Sequence, residues 1–165
     1  MLSADRLALA AVLPDHHAVA DHVGAIHAAM LHALRARIEQ GPVLSSDEAL
    51  RDYLSLSMGH VPTEQFRMLF LNAQNRLLAD EVMASGSVSQ TAFYPRNVVI
   101  RALERGATAL IVVHNHPSGS LQPSKEDIEA TRRIVEATRL LDIVVHDHLI
   151  VAGNSAVSLR ALGLL

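Results

Sequence analysis

A chain of 165 residues, 50% hydrophobic and 19% charged, has the size and apolar content of one folded domain, which excludes a disordered chain. Its formal charge of −3 offers no broad basic footprint for non-specific nucleic-acid binding. It has no cysteine, so disulfides and thiolate metal sites are excluded and any metal must be held by His, Asp or Glu.

In chain order, residues 2–39 are rich in Ala, Leu and His and predict one or two helices broken near Pro14. The run Leu7 to Leu13 before Ala18-Val19-Ala20 faintly resembles a secretion signal, but Asp5 cancels Arg6 and Pro14-Asp15 interrupts the run. A helical lead-in of a cytoplasmic protein is the preferred reading. No apolar stretch reaches the roughly 18 residues needed to span a membrane. His17, His22, His27 and His32 are five apart, a spacing that spreads them around a helix and predicts a solvated face. Gly41-Pro42 divides this lead-in, residues 1–40, from a domain over 44–165.

Residues 45–56 predict a helix with Ser45 and Glu48 spaced as a capping box. After Pro62 the period shortens to two. Residues 65–72 set Phe66, Met68 and Phe70 against Arg67, Leu69 and Leu71, a strand pattern, followed by a turn at 72–75 and a second strand before Gly86. A helix starting at Pro95 and stopping at Gly106 comes next. Thr108 to Val113 is apolar after its first residue and predicts a buried strand. Ile128, Thr131, Val135 and Thr138 mark an amphipathic helix over 124–141. Residues 142–153 predict another strand, then a Gly153-Asn154 turn and a short strand or helix. Strands interleaved with helices give an α/β fold, a sheet between helical layers.

The chemistry concentrates in residues 112–127, VVHNHPSGSLQPSKED. Residues i and i+2 of a strand share a face, so His114 and His116 project together from the end of the buried strand. The turn at 117–123 reverses the chain and lets Asp127, in the first turn of the next helix, come back beside them. Two imidazoles and a carboxylate suit Zn²⁺ with one open position, and also Fe²⁺ or Mn²⁺. Taken alone, Ser124-x-x-Asp127 is better explained as a helix cap, and His146 with His148 repeats the spacing of the first pair.

His114-x-His116-x7-Ser124-x-x-Asp127 resembles the JAMM (MPN+) metalloprotease motif. Residues 63–78, 94–113 and 142–153 are similar, in the same order, to segments of the RadC branch of that family. The resemblance covers residues 44–165 and implies a cytidine-deaminase-like, JAMM-type three-layer α-β-α fold with a mixed β-sheet flanked by helices. It implies one Zn²⁺ per chain held by His114, His116 and Asp127. It selects Glu64 as the catalytic carboxylate, with Asp80 and Glu81 as competitors that need a change of register. Asn115 should point away from the metal.

Such a site would hydrolyse an amide: Glu64 shuttles the proton and Ser124 either donates to the oxyanion or caps its helix. His148 is either a residue adjoining the ligands or a polar residue on an edge strand. The implied partner is a peptide or isopeptide substrate. A non-catalytic metal-binding interaction module and a DNA-associated repair or recombination accessory are the alternatives. The helix-hairpin-helix that RadC proteins commonly carry is not expected in residues 1–40, which leaves DNA weakly supported. The apolar character, with a mean hydropathy of +0.23, is compatible with a homo-oligomer.

Overall fold

A computed structural model describes residues 16–45, 47–86 and 94–165, with Ser45 described by its backbone alone. The break near Pro14 and the Ser45–Glu48 capping box therefore lie outside the described residues. The first described element is a single helix, α1, over His17–Glu39. A 3₁₀ turn at Val43–Ser45 leads to α2, Asp47–Met58. The strands β1, Glu64–Leu71, and β2, Leu77–Gly86, form a hairpin. Its turn is closed by Asn72, whose Oδ1 accepts from the backbone N–H groups of Gln74 and Arg76 at 2.9 and 3.0 Å. Helix α3, Pro95–Glu104, begins on its proline, where a missing N–H costs nothing. Then come β3, Ala109–Asn115, α4, Lys125–Arg139, β4, Val144–Ala152, and β5, Ser155–Ser158.

The five strands make one mixed sheet in the order β2-β1-β3-β4-β5. Only β3 and β4 run parallel, because the α4 crossover joins them; the other neighbours are antiparallel. All seven residues of β3 are buried, as expected of a central strand covered on both faces.

Side-chain alternation divides the core into two. Leu69, Leu71, Ile111, Val113, Leu149 and Val151 face α2 and the last turns of α1, where they pack on Leu50, Leu54 and Met58. Met68, Phe70, Leu110 and Val112 face the other way, onto Val98 and Ala102 of α3 and Ile134 of α4. The fold is therefore three layers, a sheet flanked by helices on both faces. Each large side chain buried in this way contributes roughly 1.5–3 kcal/mol. The far half of the lead-in helix belongs to this packing: Ile38 is buried and Leu31 and Leu34 lean on the same cluster. His17, His22 and His32 are exposed as expected, but His27 is half-buried, with its Nε2 3.2 Å from the Leu56 carbonyl of α2.

One irregularity shapes the surroundings of the histidines. Strand β4 slips by one residue against β3, with Leu110 opposite Val145 but Ile111 opposite Asp147. The extra residue is a β-bulge, which breaks the alternation of faces. Val145 packs in the α3/α4 core and Leu149 in the α2 core, so the bulge turns His148 onto the α4 face. The carbonyls freed at Val145 and His146 accept hydrogen bonds from the Arg160 guanidinium. Asp147 completes the clamp, accepting from the His148 N–H at 2.7 Å and the Ser158 hydroxyl at 2.5 Å.

Candidate metal centre

Strand β3 carries His114 at its end, on the face turned toward α4. His116 follows one residue past the strand, its backbone N–H still bonded to the Val151 carbonyl of β4 at 2.8 Å. The Pro117-Ser118 turn closes with Gly119 donating to the His116 carbonyl at 3.0 Å, and Gly119 takes the positive φ of 84° that the turn requires. This brings the Ser120 carbonyl back to accept from His116 Nδ1 at 2.8 Å. A carbonyl cannot donate, so the proton is on Nδ1 and the Nε2 lone pair is left for the site.

Helix α4 supplies the third group. Its N-cap is Ser124, whose hydroxyl accepts from the Asp127 N–H at 3.0 Å while Asp127 Oδ2 accepts from the Ser124 N–H at 2.7 Å. This reciprocal box fixes the Asp127 carboxylate against the helix start. Oδ1 lies 3.3 Å from His114 Nε2 and Oδ2 lies 3.6 Å from His116 Nε2. The two Nε2 atoms are 2.7 Å apart. Ligands at about 2.0–2.1 Å around a tetrahedral ion stand roughly 3.3 Å from each other. His114, His116 and Asp127 are accordingly the three groups that could hold a metal ion among the described residues.

Burial is the largest influence on His114 and lowers its pKa to about 4; Asp127 opposes this and His116 adds to it. A neutral imidazole is the form that ligates a metal. Phe66 lies opposite His114 in the β1–β3 register and stacks on its ring at 6.3 Å and 11°. Glu64 is two residues earlier on the same face of an antiparallel pair, so it falls level with position 116. It lines one cleft with Phe66, His114, Lys125, Asp127 and Arg133, of about 460 Å³. Burial raises the Glu64 pKa, His116 counteracts it and Asp127 adds to it.

The competitors for the carboxylate role stand elsewhere. Asp80 lies among the α2-facing groups, accepting from the Tyr53 hydroxyl at 2.6 Å and pairing with Arg67 at 3.3 Å. Burial works against the charge of Glu81, but hydrogen bonds from Arg101 and Arg105 outweigh it and hold its pKa below the usual range. Arg101 grips both Glu81 oxygens at 2.8 and 2.7 Å.

Asn115 points away from His114, His116 and Asp127, and it is fully buried. Its Nδ2 donates to the carbonyls of Val61 and Thr63 at 3.1 and 3.2 Å, and its Oδ1 accepts from the Gln65 N–H at 2.8 Å. It thus fastens the segment on both sides of Glu64, a role that spacing alone did not reveal. His148 is not on an edge strand, since β4 lies between β3 and β5. It is completely buried, and its Nε2 is 2.8 Å from His114 Nδ1. The sequence left it between adjoining the ligands and an edge strand, because the bulge that aims it was not visible. Thr131, read as one position on an amphipathic face, also meets His148, at 2.5 Å.

Residues 44–164 match the RadC-like JAB domain. A UPF0758 protein of Rhodobacter capsulatus is 47% identical over all 165 residues, which span 77% of that protein. Another UPF0758 protein, from Ruegeria pomeroyi, is 50% identical over 131 residues, 79% of this chain and 58% of the relative. The chain therefore belongs to the RadC-like JAB domain family.

Proposed function

We propose that this chain is a zinc-dependent hydrolase of amide bonds, a metallopeptidase or isopeptidase, acting in the cytoplasm. The observation that carries the reading is the convergence of two Nε2 atoms and a carboxylate at 2.7–3.6 Å, with Glu64 in the same cleft. A Zn²⁺ ion held by His114, His116 and Asp127 supplies a Lewis acid for the carbonyl and lowers the pKa of water toward ~7.

The chain's own groups do the rest. Glu64 takes a proton from the attacking water as its oxygen adds to the carbonyl carbon. It returns that proton to the nitrogen as the C–N bond breaks. Its raised pKa suits both steps, because the carboxylate holds a proton more readily than an exposed one. Ser124 uses its oxygen as an acceptor in the helix cap, which leaves its single proton to donate to the developing oxyanion. Phe66 walls the cleft and keeps water from the face of His114.

The test is turnover of fluorogenic peptide and isopeptide substrates by the zinc-loaded protein and by Glu64→Gln. The variant is expected to keep one equivalent of zinc and lose at least about 100-fold in kcat, the usual worth of a positioned acid–base group. Equal turnover in both proteins, or no zinc retained by the wild type, overturns the reading.

A further inference from the structure

A continuous line of hydrogen bonds runs from the backbone of one metal ligand to the imidazole of another. The Thr131 hydroxyl lies 2.6 Å from the Asp127 carbonyl. The same oxygen lies 2.5 Å from His148 Nδ1, and His148 Nε2 lies 2.8 Å from His114 Nδ1. The direction of every proton in this line is set by its first member. A carbonyl only accepts, so the one proton of Thr131 is given to Asp127. The hydroxyl then has only lone pairs to offer His148, whose Nδ1 must donate. His148 Nε2 is left as an acceptor, so His114 Nδ1 must donate to it. The remaining nitrogen of His114, Nε2, carries a lone pair and no proton. It is the nitrogen that lies 2.7 Å from His116 Nε2 and 3.3 Å from Asp127 Oδ1.

Reversal of the line would place a proton on His114 Nε2 and close the site to a cation. We propose that Thr131 and His148 are positioning residues that lock the tautomer of His114, and that helix α4 thereby prepares two of the three ligands at once. Asp127 enters the site with its carboxylate, and with its main-chain carbonyl it sets the ring of His114 through Thr131 and His148. Both linking residues are shielded, Thr131 at 1% exposure and His148 at 0%, so water does not compete for these bonds. The inference rests on the metal-centre reading but not on turnover, since it concerns how the ligands are aimed. Partners that orient a ligating histidine in this way typically govern affinity by about 10- to 100-fold.

The experiment has two parts. In the metal-free wild-type protein, long-range ¹H–¹⁵N spectra of histidine-labelled material near neutral pH are expected to find His114 and His148 both protonated on Nδ1. A His114 protonated on Nε2 overturns the proposal, whatever any variant does. The second part is competition for Zn²⁺ against a chromophoric chelator. Thr131→Val is expected to lose about 10- to 100-fold in affinity and to give a mixture of His114 tautomers. Thr131→Ser, which keeps the hydroxyl, is expected to restore both. Unchanged affinity and an unchanged tautomer in Thr131→Val overturn the proposal. Should Thr131→Val fail to fold, the wild-type spectra alone decide. A wild type with the expected tautomers that holds no zinc would sink the proposed activity and leave the line of bonds standing.

Discussion

Asn115 illustrates how one side chain can serve a site it does not enter. It satisfies three backbone groups: the carbonyls of Val61 and Thr63 and the N–H of Gln65. All three lie close to Glu64 in the chain, so the amide holds that carboxylate's backbone in place. Asn115→Ala would remove these partners at a position of zero exposure. A buried group left unpaired costs about 1–3 kcal/mol, so the expected loss is about 3 kcal/mol in urea unfolding of the metal-free protein. Zinc affinity should change little, because Asn115 faces away from the ligands. An unfolding midpoint equal to that of the wild type would refute the role. His114 and His116 were readable from their i, i+2 spacing, because a strand's alternation is set by backbone geometry alone. Asn115 was readable only in direction, since its three partners come from a segment whose path no local pattern specifies.

At the scale of elements, the sheet order matters less than where its members are pinned. The end of α2 meets the β4–β5 turn closely: Gly153 donates to the Gly59 carbonyl at 2.9 Å, and beside it His60 Nε2 lies 3.1 Å from Asn154 Oδ1. A Cβ on Gly59 would stand 1.9 Å from the Gly153 carbonyl oxygen and 2.6 Å from that of Ser55. Neither is a flexible side-chain tip, so the backbones must part. Gly59→Ala is expected to cost about 1–3 kcal/mol, the range for overpacking, with the unfolding midpoint as the readout. Gly24, in α1 with nothing within 4 Å, is the matched control; there alanine should stabilise by about 0.5–1 kcal/mol. A Gly59 variant as stable as the wild type would mean that the two backbones do not meet this closely. The elements themselves were readable, from Pro95 opening α3 to the apolar run of β3, because period and capping are local. The bulge in β4 was not. It depends on Arg160 and Ser158, 15 and 11 residues away from Val145 and Asp147 respectively, reaching back to satisfy what the bulge leaves open.

For the molecule as a whole, the three layers give the candidate ligands a dry wall on one side and a cleft on the other, and that has a measurable cost. His114 and His148 sit in the sheet's α4-facing layer, and burial is the main influence lowering both pKa values, His114 to about 4 and His148 well below its ordinary value. In the unfolded chain each would titrate near ~6.5. Between those values the unfolded state binds more protons than the folded one, so stability must rise with pH there. The metal-free protein is therefore expected to hold its full stability above about pH 6.5 and to lose it progressively toward about pH 4. His114 alone accounts for about 3 kcal/mol of the loss, because each pH unit between its folded and unfolded titration points is worth about 1.4 kcal/mol. His148 steepens the fall in the same direction. Urea unfolding of chelator-treated protein at several pH values across this window is the check. A midpoint independent of pH would mean that the two rings do not titrate as buried groups, and the closely packed layer around the site would have to be open to water. Saturating zinc should raise the whole curve and steepen its fall toward acid, because a cation that binds only the folded form adds stability by mass action and keeps protons off its ligands in that form alone.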